Sequence, residues 1–372
     1  MAVFVEVIWY ILWISFGVQV LFLSLMIFTR FVQPKSKAPR PSSLPKVSIL
    51  IAVRNNASGI ARQIQQLSDQ EYPDFEIILV NDGSNEEESS DLERICAPYE
   101  RVRLIRKEKS AEDLGKRAAL HLGIQSCSGT YVLFTDADCM PISKQWISAM
   151  VQTISNPNIS IVLGLSPYLK LGGMLNQWIQ FETLFSAGNM LAFTKLGRPY
   201  MGIGRNMLVQ KKLFSESDVY DQAPIISGDD DLTINQFAHA QNTAVCTQED
   251  ALVISSPVTT WQKYVHQKRR HLSAGKYYRL LDQVILALQS FSHAVFLLSV
   301  ILLLVFSIKY FAIGLSLVLI RSSLLMIYYL PIAKRLRILM CWHQLLKWDA
   351  LFPLYLLFFS PYIFWKDIQQ WD

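Results

Sequence analysis

Two hydrophobic patterns divide this chain. Residues 7–28, 285–306 and 310–330 are nearly unbroken apolar runs, each long enough to cross a bilayer as a helix. Between them, short runs of branched residues alternate with segments of helical period. Residues 47–53 (VSILIAV) predict a strand, and Ile60, Ile64 and Leu67 mark one face of the helix after it. Further strands are predicted over 76–80, 102–105, the run from Tyr131 to Phe134 and 159–165, with a helix over 117–125. Ser84 and Glu87 read as a capping box opening another helix. A longer helix over 174–193 carries Trp178, Phe181 and Phe185, an aromatic stripe that reads as core. Alternating strands and helices predict a mainly parallel sheet covered by helices.

The same patterns set the boundaries. Residues 1–32 form an N-terminal membrane anchor, and 33–46 a spacer whose Pro34, Pro39, Pro41 and Pro45 forbid a helix or central strand. An α/β domain follows over 47–255, then a membrane-proximal segment over 256–283 and a membrane region of two or three helices over 284–372. Glu6 is the only early charge, whereas Arg30, Lys35, Lys37 and Arg40 follow the first apolar run, which argues against a cleaved signal. By the positive-inside rule the N-terminus lies outside and the α/β domain in the cytoplasm. Lys309 marks a short outer turn, and Lys334, Arg335 and Arg337 end the third run on the cytoplasmic side. Trp342, His343 and Lys347 suggest an interfacial piece, and 351–365 a short fourth span or a re-entrant segment. Arg321 lies inside the third run, where a charge is costly in lipid, so it is expected to face the bundle or a polar headgroup.

Composition agrees with a membrane protein that has a soluble middle: of 372 residues 51% are hydrophobic and 17% charged, with a mean hydropathy of +0.25. The net charge of +5 comes from Lys and Arg beside apolar segments, without interleaved aromatics, which points to membrane lipids as partners and away from nucleic acid. Five scattered cysteines show no C-x-x-C spacing, which argues against zinc and fits reduced thiols.

Chemistry gathers at strand ends and helix starts. Asp136 and Asp138 follow an apolar strand with only Ala137 between them, so both can point to one side. Such hard oxygen ligands suit Mg²⁺ or Mn²⁺, which can hold a diphosphate. Asp82 stands at the end of another strand, and Gly115-Lys116 opens a helix. The stretch 202–206 (GIGRN) reads as a turn lining a cleft, with Arg205 unassigned. Asp229, Asp230 and Asp231 stand at a helix start, where Asp231 reads as no more than a first-turn acid.

These motifs, taken with 267–271 (QKRRH), resemble in order and spacing the membrane-bound family-2 glycosyltransferases of GT-A fold, relatives of the processive polysaccharide synthases. The resemblance covers roughly residues 47 to 275. It implies a Rossmann-like mixed sheet flanked by transmembrane helices, and inverting transfer from a nucleotide sugar, UDP-linked, with Mg or Mn as cofactor. Asp82 would then accept a hydrogen bond from the base; Lys116 and Arg54 would bind the donor; Asp136 would contact ribose or sugar; Asp138 would ligate the metal. Asp230 is the implied general base, and Arg270 with Gln267 would stabilise the departing diphosphate. His271 stands where the family has Trp, which argues against long-chain polymerisation. The implied acceptor is a lipid-linked sugar or growing glycan at the cytoplasmic face of a bacterial-type inner membrane, in cell-envelope polysaccharide biosynthesis. The rival readings are a processive synthase with a translocation channel and a non-catalytic scaffold for glycan export.

Overall fold

The computed structural model describes residues 2–32, 44–107, 115–215 and 229–363. Most of the proline-rich spacer therefore lies outside the described residues, as do the last two positions of the 351–365 segment. In chain order the elements are α1 (Ala2–Phe28), β1 (Val47–Val53), α2 (Ala57–Ser68), β2 (Phe75–Asp82), α3 (Glu86–Cys96), β3 (Val102–Lys107), α4 (Lys116–Ser126) and β4 (Tyr131–Phe134). There follow β5 (Cys139–Pro141), α5 (Trp146–Gln152), β6 (Ile161–Leu163), α6 (Met174–Lys195), β7 (Met207–Gln210), α7 (Lys212–Ser215), α8 (Asp229–Phe237), β8 (Thr243–Val245) and β9 (Val253–Ser255). The C-terminal part comprises α9 (Trp261–Leu272), α10 (Leu280–Phe306), α11 (Ile308–Arg335) and α12 (Trp342–Phe359).

Seven strands form one mixed sheet in the order β3-β2-β1-β4-β7-β6-β8. β1 is an inner strand next to the central β4, parallel to both β2 and β4, with Val47 opposite Phe75 on one side and Tyr131 on the other. Only β7 runs against its neighbours β4 and β6. All seven residues of β1 are buried, because helices cover both faces and a strand so placed needs apolar side chains at every position. Their alternation sorts them into two cores. Val47, Ile49, Ile51 and Val53 join the apolar faces of α2, α3 and α5, including Ile60, Ile64, Leu67 and Met150. Leu50 and Ala52 point the other way, to α4, α6 and α8. Full burial of a side chain such as Ile60 contributes about 1.5–3 kcal/mol, so Ile60→Asp would break the packing of α2.

The second core does not stop at α4, α6 and α8. It continues without interruption from Val132 of β4 and Trp178 of α6 into Tyr328, Tyr329, Trp348 and Phe352 of α11 and α12. The α/β domain is thereby packed directly on the apolar helices, and its cleft opens beside them. Trp178 and Phe181 are buried in this core and Phe185 packs against it, as the aromatic stripe predicted.

Three helices, Val3–Phe28, Leu280–Phe306 and Ile308–Arg335, are long and apolar enough to cross a membrane. The interfacial piece and the fourth apolar segment prove to be one helix, α12, in which Lys347 and Asp349 interrupt the apolar run. Arg321 faces the bundle: it donates to Asp349 at 2.5 and 3.2 Å and to Gln19 at 3.0 Å, all three side chains being buried. The capping box at Ser84 is corrected. Asn85 is the N-cap of α3, accepting from Glu88 N at 2.9 Å. Ser84 Oγ instead accepts from Asn55 N at 3.0 Å, which ties it to the loop after β1.

Candidate active site

One cleft of about 990 Å³ opens at the carboxyl ends of β1 and β4 and is lined by Arg54, Asp136, Asp138, Asp230, Gln267 and Arg270, among others. This is where open α/β sheets place ligands. The Asp136-Ala137-Asp138 stretch forms the turn between β4 and β5, closed by Cys139 N donating to Asp136 O at 3.1 Å. The N-terminus of α2 comes so close beneath it that a Cβ on Gly59 would lie 2.4 Å from Ala137 O. Asp136 accepts from Lys116 Nζ at 2.5 Å, and Lys116 is delivered by the start of α4 just after Gly115, whose φ of +63° only glycine adopts freely. Burial would raise the pKa of Asp136, but Lys116, then Arg205 and Arg270, outweigh it and hold the carboxyl below its usual range.

Asp138 is exposed toward the cleft, with Ser255 Oγ 3.5 Å from Oδ2. The ligand atoms of Asp136, Asp138 and Cys139 all lie within 4.8 Å of one another. Burial and then the two neighbouring carboxylates push the Cys139 thiol well up, and a soft thiol suits a hard cation poorly beside carboxylate oxygens. What is left is a pair of carboxylates, a donor set that fits Mg²⁺ or Mn²⁺ and not a soft metal.

The second acidic group arrives from α8. Asp230 Oδ2 accepts from Gly204 N at 2.8 Å, and a Cβ at Gly204 would stand 3.0 Å from that oxygen, so a side chain there would crowd the carboxylate. Asp231 is more than a first-turn acid: it accepts from Gly202 N at 3.2 Å and from the Tyr278 hydroxyl. Burial, and then the adjacent Asp230 charge, raise its pKa well above the carboxylate range. The side chain of Asp229 lies outside the described residues.

α9 supplies the basic wall. Its N-cap Thr260 accepts from Lys263 N at 3.3 Å, and Gln267, Arg270 and His271, at helical spacing, all line the cleft. Lys268 joins them, paired at 2.8 Å with Glu182 of α6, which also accepts from the hydroxyls of Tyr264 and Tyr355 at 2.9 Å. The His271 side chain is open to solvent within the cleft, but enclosure by the cleft walls and then the charges of Lys268, Arg270, Arg205 and Lys116 push it below the usual imidazole value, so it is neutral at pH 7.

Sequence left Arg205 unassigned, and the structure places it in the cleft. Its guanidinium lies 4.4 Å above the Tyr168 ring and donates to Ser166 Oγ at 2.7 Å and Ser166 O at 2.9 Å. Lys116, Arg205, Lys268 and Arg270 thus surround the two aspartates with fixed positive charge, an arrangement suited to a diphosphate. Arg54 lines the cleft from the end of β1. Asp82 ends β2 but does not line it: the side chain is buried, Oδ1 pairs with Lys107 at 2.9 Å, and Oδ2 has no hydrogen-bond partner among the described residues. Of the sequence-predicted set, then, seven residues share one cleft and Asp82 sits behind it.

Residues 48–217 match glycosyl transferase family 2. That stretch, a little under half of the chain, is a family-2 glycosyltransferase domain. Over 125 residues, 33% of this chain and 40% of the relative, it is 31% identical to the glycosyltransferase AglE of Haloferax volcanii. Over 103 residues it is 30% identical to the beta-monoglucosyldiacylglycerol synthase of Trichormus variabilis, covering 27% of this chain and 22% of the synthase. The likeness therefore spans well under two thirds of either relative. In three dimensions the chain is similar to the mannosyltransferase PcManGT of Pyrobaculum calidifontis, solved with GDP-Man and Mn²⁺. That match covers 97% of this chain and 99% of the other, with a TM-score of 0.62 and 16% identity, and shows a shared fold over almost the whole length of both.

Proposed function

We propose that this chain transfers a sugar, with inversion, from a UDP-linked donor to a lipid-linked or growing glycan acceptor at the cytoplasmic face of a bacterial-type inner membrane. The observation that carries the reading is that Asp138 and Asp230, distant along the chain, line one cleft together with Arg54, Lys116, Arg205, Lys268 and Arg270. Asp138, with Asp136 beside it, would hold Mg²⁺ or Mn²⁺, which when bound offsets the charge of the donor diphosphate. Lys116, Arg205 and Arg270 bind and orient the diphosphate from the protein side, and Gln267 adds a neutral donor next to them. The acceptor hydroxyl attacks the anomeric carbon from the face opposite the diphosphate. As the new C–O bond forms and the bond to the diphosphate breaks, Asp230 takes the hydroxyl proton. The Gly204 N–H fixes the orientation of Asp230, which leaves its other oxygen for that proton. Support for a lipid-bearing acceptor comes from the packing of the domain on the apolar helices and from the likeness to a synthase of a glucosyl diacylglycerol.

The test incubates membranes containing the chain with a panel of labelled nucleotide sugars, with and without chelator, and sizes the products. The reading predicts that one UDP-sugar is consumed only with divalent metal and that a single residue is added to an extractable lipid. No donor consumption above control membranes would overturn it, and long polymeric product would favour the processive alternative.

A further inference from the structure

We propose that Asp282, in the first turn of the membrane helix α10, is a positioning residue that sets the place of the general base; the inference rests on the role given above to Asp230. Asp282 is fully buried, yet its carboxylate takes two guanidinium groups, Arg198 Nε at 2.5 Å and Arg279 Nε at 2.7 Å. Arg279 then reaches α8 at two points. Its backbone N–H donates to Asn235 Oδ1 at 3.1 Å, and Nη1 donates to Ala238 O at 3.2 Å, at the end of that helix. It also donates to Pro199 O, in the segment leading to the turn that cradles Asp230 and Asp231. Tyr278, next in the chain, binds Asp231 itself.

The helix that carries the base is thus fastened from the membrane side by consecutive residues, and Asp282 orients the cation among them. A buried carboxylate holding two guanidinium groups fixes them far more firmly than water would, and loss of its charge frees both. Among the described residues, and apart from the backbone bonds of α10, the hydrogen bonds and ion pairs of Asp282 and Arg279 go to Arg198, Pro199, Asn235 and Ala238 and to each other, and not to the metal or diphosphate wall. The effect of the pair therefore falls on transfer and not on donor binding, and the seating of α10 in the bilayer is transmitted to Asp230.

The experiment uses the full chain in lipid nanodiscs and compares Asp282→Asn, Arg279→Gln and their double variant. Phe296→Ala, which opens the buried core of the apolar bundle away from the clamp, serves as a destabilised control. We expect kcat to fall about 10- to 100-fold in each clamp variant, as misplacement of a catalytic group by about 1 Å does. The double variant falls no further than either single one, because both act through one contact. Donor KM and the affinity for UDP with Mn²⁺ stay within about 3-fold of the parent, a factor worth well under 1 kcal/mol. Phe296→Ala lowers the folded fraction, and with it the number of sites for UDP and the maximal rate in proportion. The proposal is overturned if folded Asp282→Asn keeps kcat within about 3-fold of the parent. It is equally overturned if its rate falls only in step with donor sites, as in Phe296→Ala. If Asp230→Asn is inactive while Asp282→Asn is active, the clamp alone fails; if Asp230→Asn is active, the reading beneath it fails.

Discussion

Replacing Asp230 by Asn separates chemistry from architecture at the place where the account is most exposed. Asp230 Oδ2 accepts one hydrogen bond, from Gly204 N at 2.8 Å, and an amide oxygen can accept it in the same position. A charge-assisted bond becomes a neutral one, a loss of about 1 kcal/mol. Part of that returns, because Asp231 no longer faces a neighbouring charge that raises its pKa. The fold and the cleft are therefore retained. An amide cannot take the acceptor proton, so transfer falls by the contribution of a positioned general base, about 10²- to 10⁴-fold, which corresponds to about 3–5 kcal/mol in the barrier. The assay pairs initial transfer rates at saturating donor with a melting curve in the same detergent. A variant that melts with the parent and transfers within about 3-fold of its rate would refute the assignment.

Asp231 predicts the opposite balance. Its pKa is raised in the fold, so it contributes stability in full below the unfolded value of 3.8 and loses it as pH rises through the folded value. Asn can accept from Gly202 and donate to the Tyr278 oxygen, so Asp231→Asn melts no lower than the parent at about pH 7 and loses that advantage toward about pH 4; a melting difference that grows toward acid would refute this. In the bundle, Asp349→Leu leaves Arg321 buried without its carboxylate and costs about 3–5 kcal/mol. Adding Arg321→Met recovers most of the melting temperature, and a double variant no more stable than the single one would show that the pair acts otherwise.

The parts legible in the sequence were those written locally. β1 and β4 announce themselves because burial on both faces demands apolar residues throughout, and the membrane helices because lipid demands the same over a longer run. Asp136, Asp138 and Asp230 were legible because they follow a strand or open a helix, where backbone geometry presents side chains to the cleft. Ser84 and Asn85 are adjacent residues that can both cap. Only the contact of Ser84 with Asn55, 29 residues away, decides between them. Arg205, Tyr168, Tyr278 and Asp282 were missed for the same reason. Their roles come from partners brought together by the sheet crossover and the return of the chain to the membrane, and nothing within a few residues of any of them signals it. The one local hint was the glycine-rich turn before Arg205, where Gly204 makes room for the carboxylate of Asp230 from another element.

The central claim is that two acidic groups share one cleft with separate duties, and UDP binding to the purified full chain tests it most directly. Calorimetry with Mn²⁺ present compares the parent, Asp138→Asn and Asp230→Asn. The account predicts that Asp138→Asn loses the Mn²⁺-dependent part of UDP affinity, whereas Asp230→Asn binds UDP as the parent does and fails only in transfer. Equal UDP binding by the parent and Asp138→Asn, or loss of UDP binding in Asp230→Asn, would contradict it.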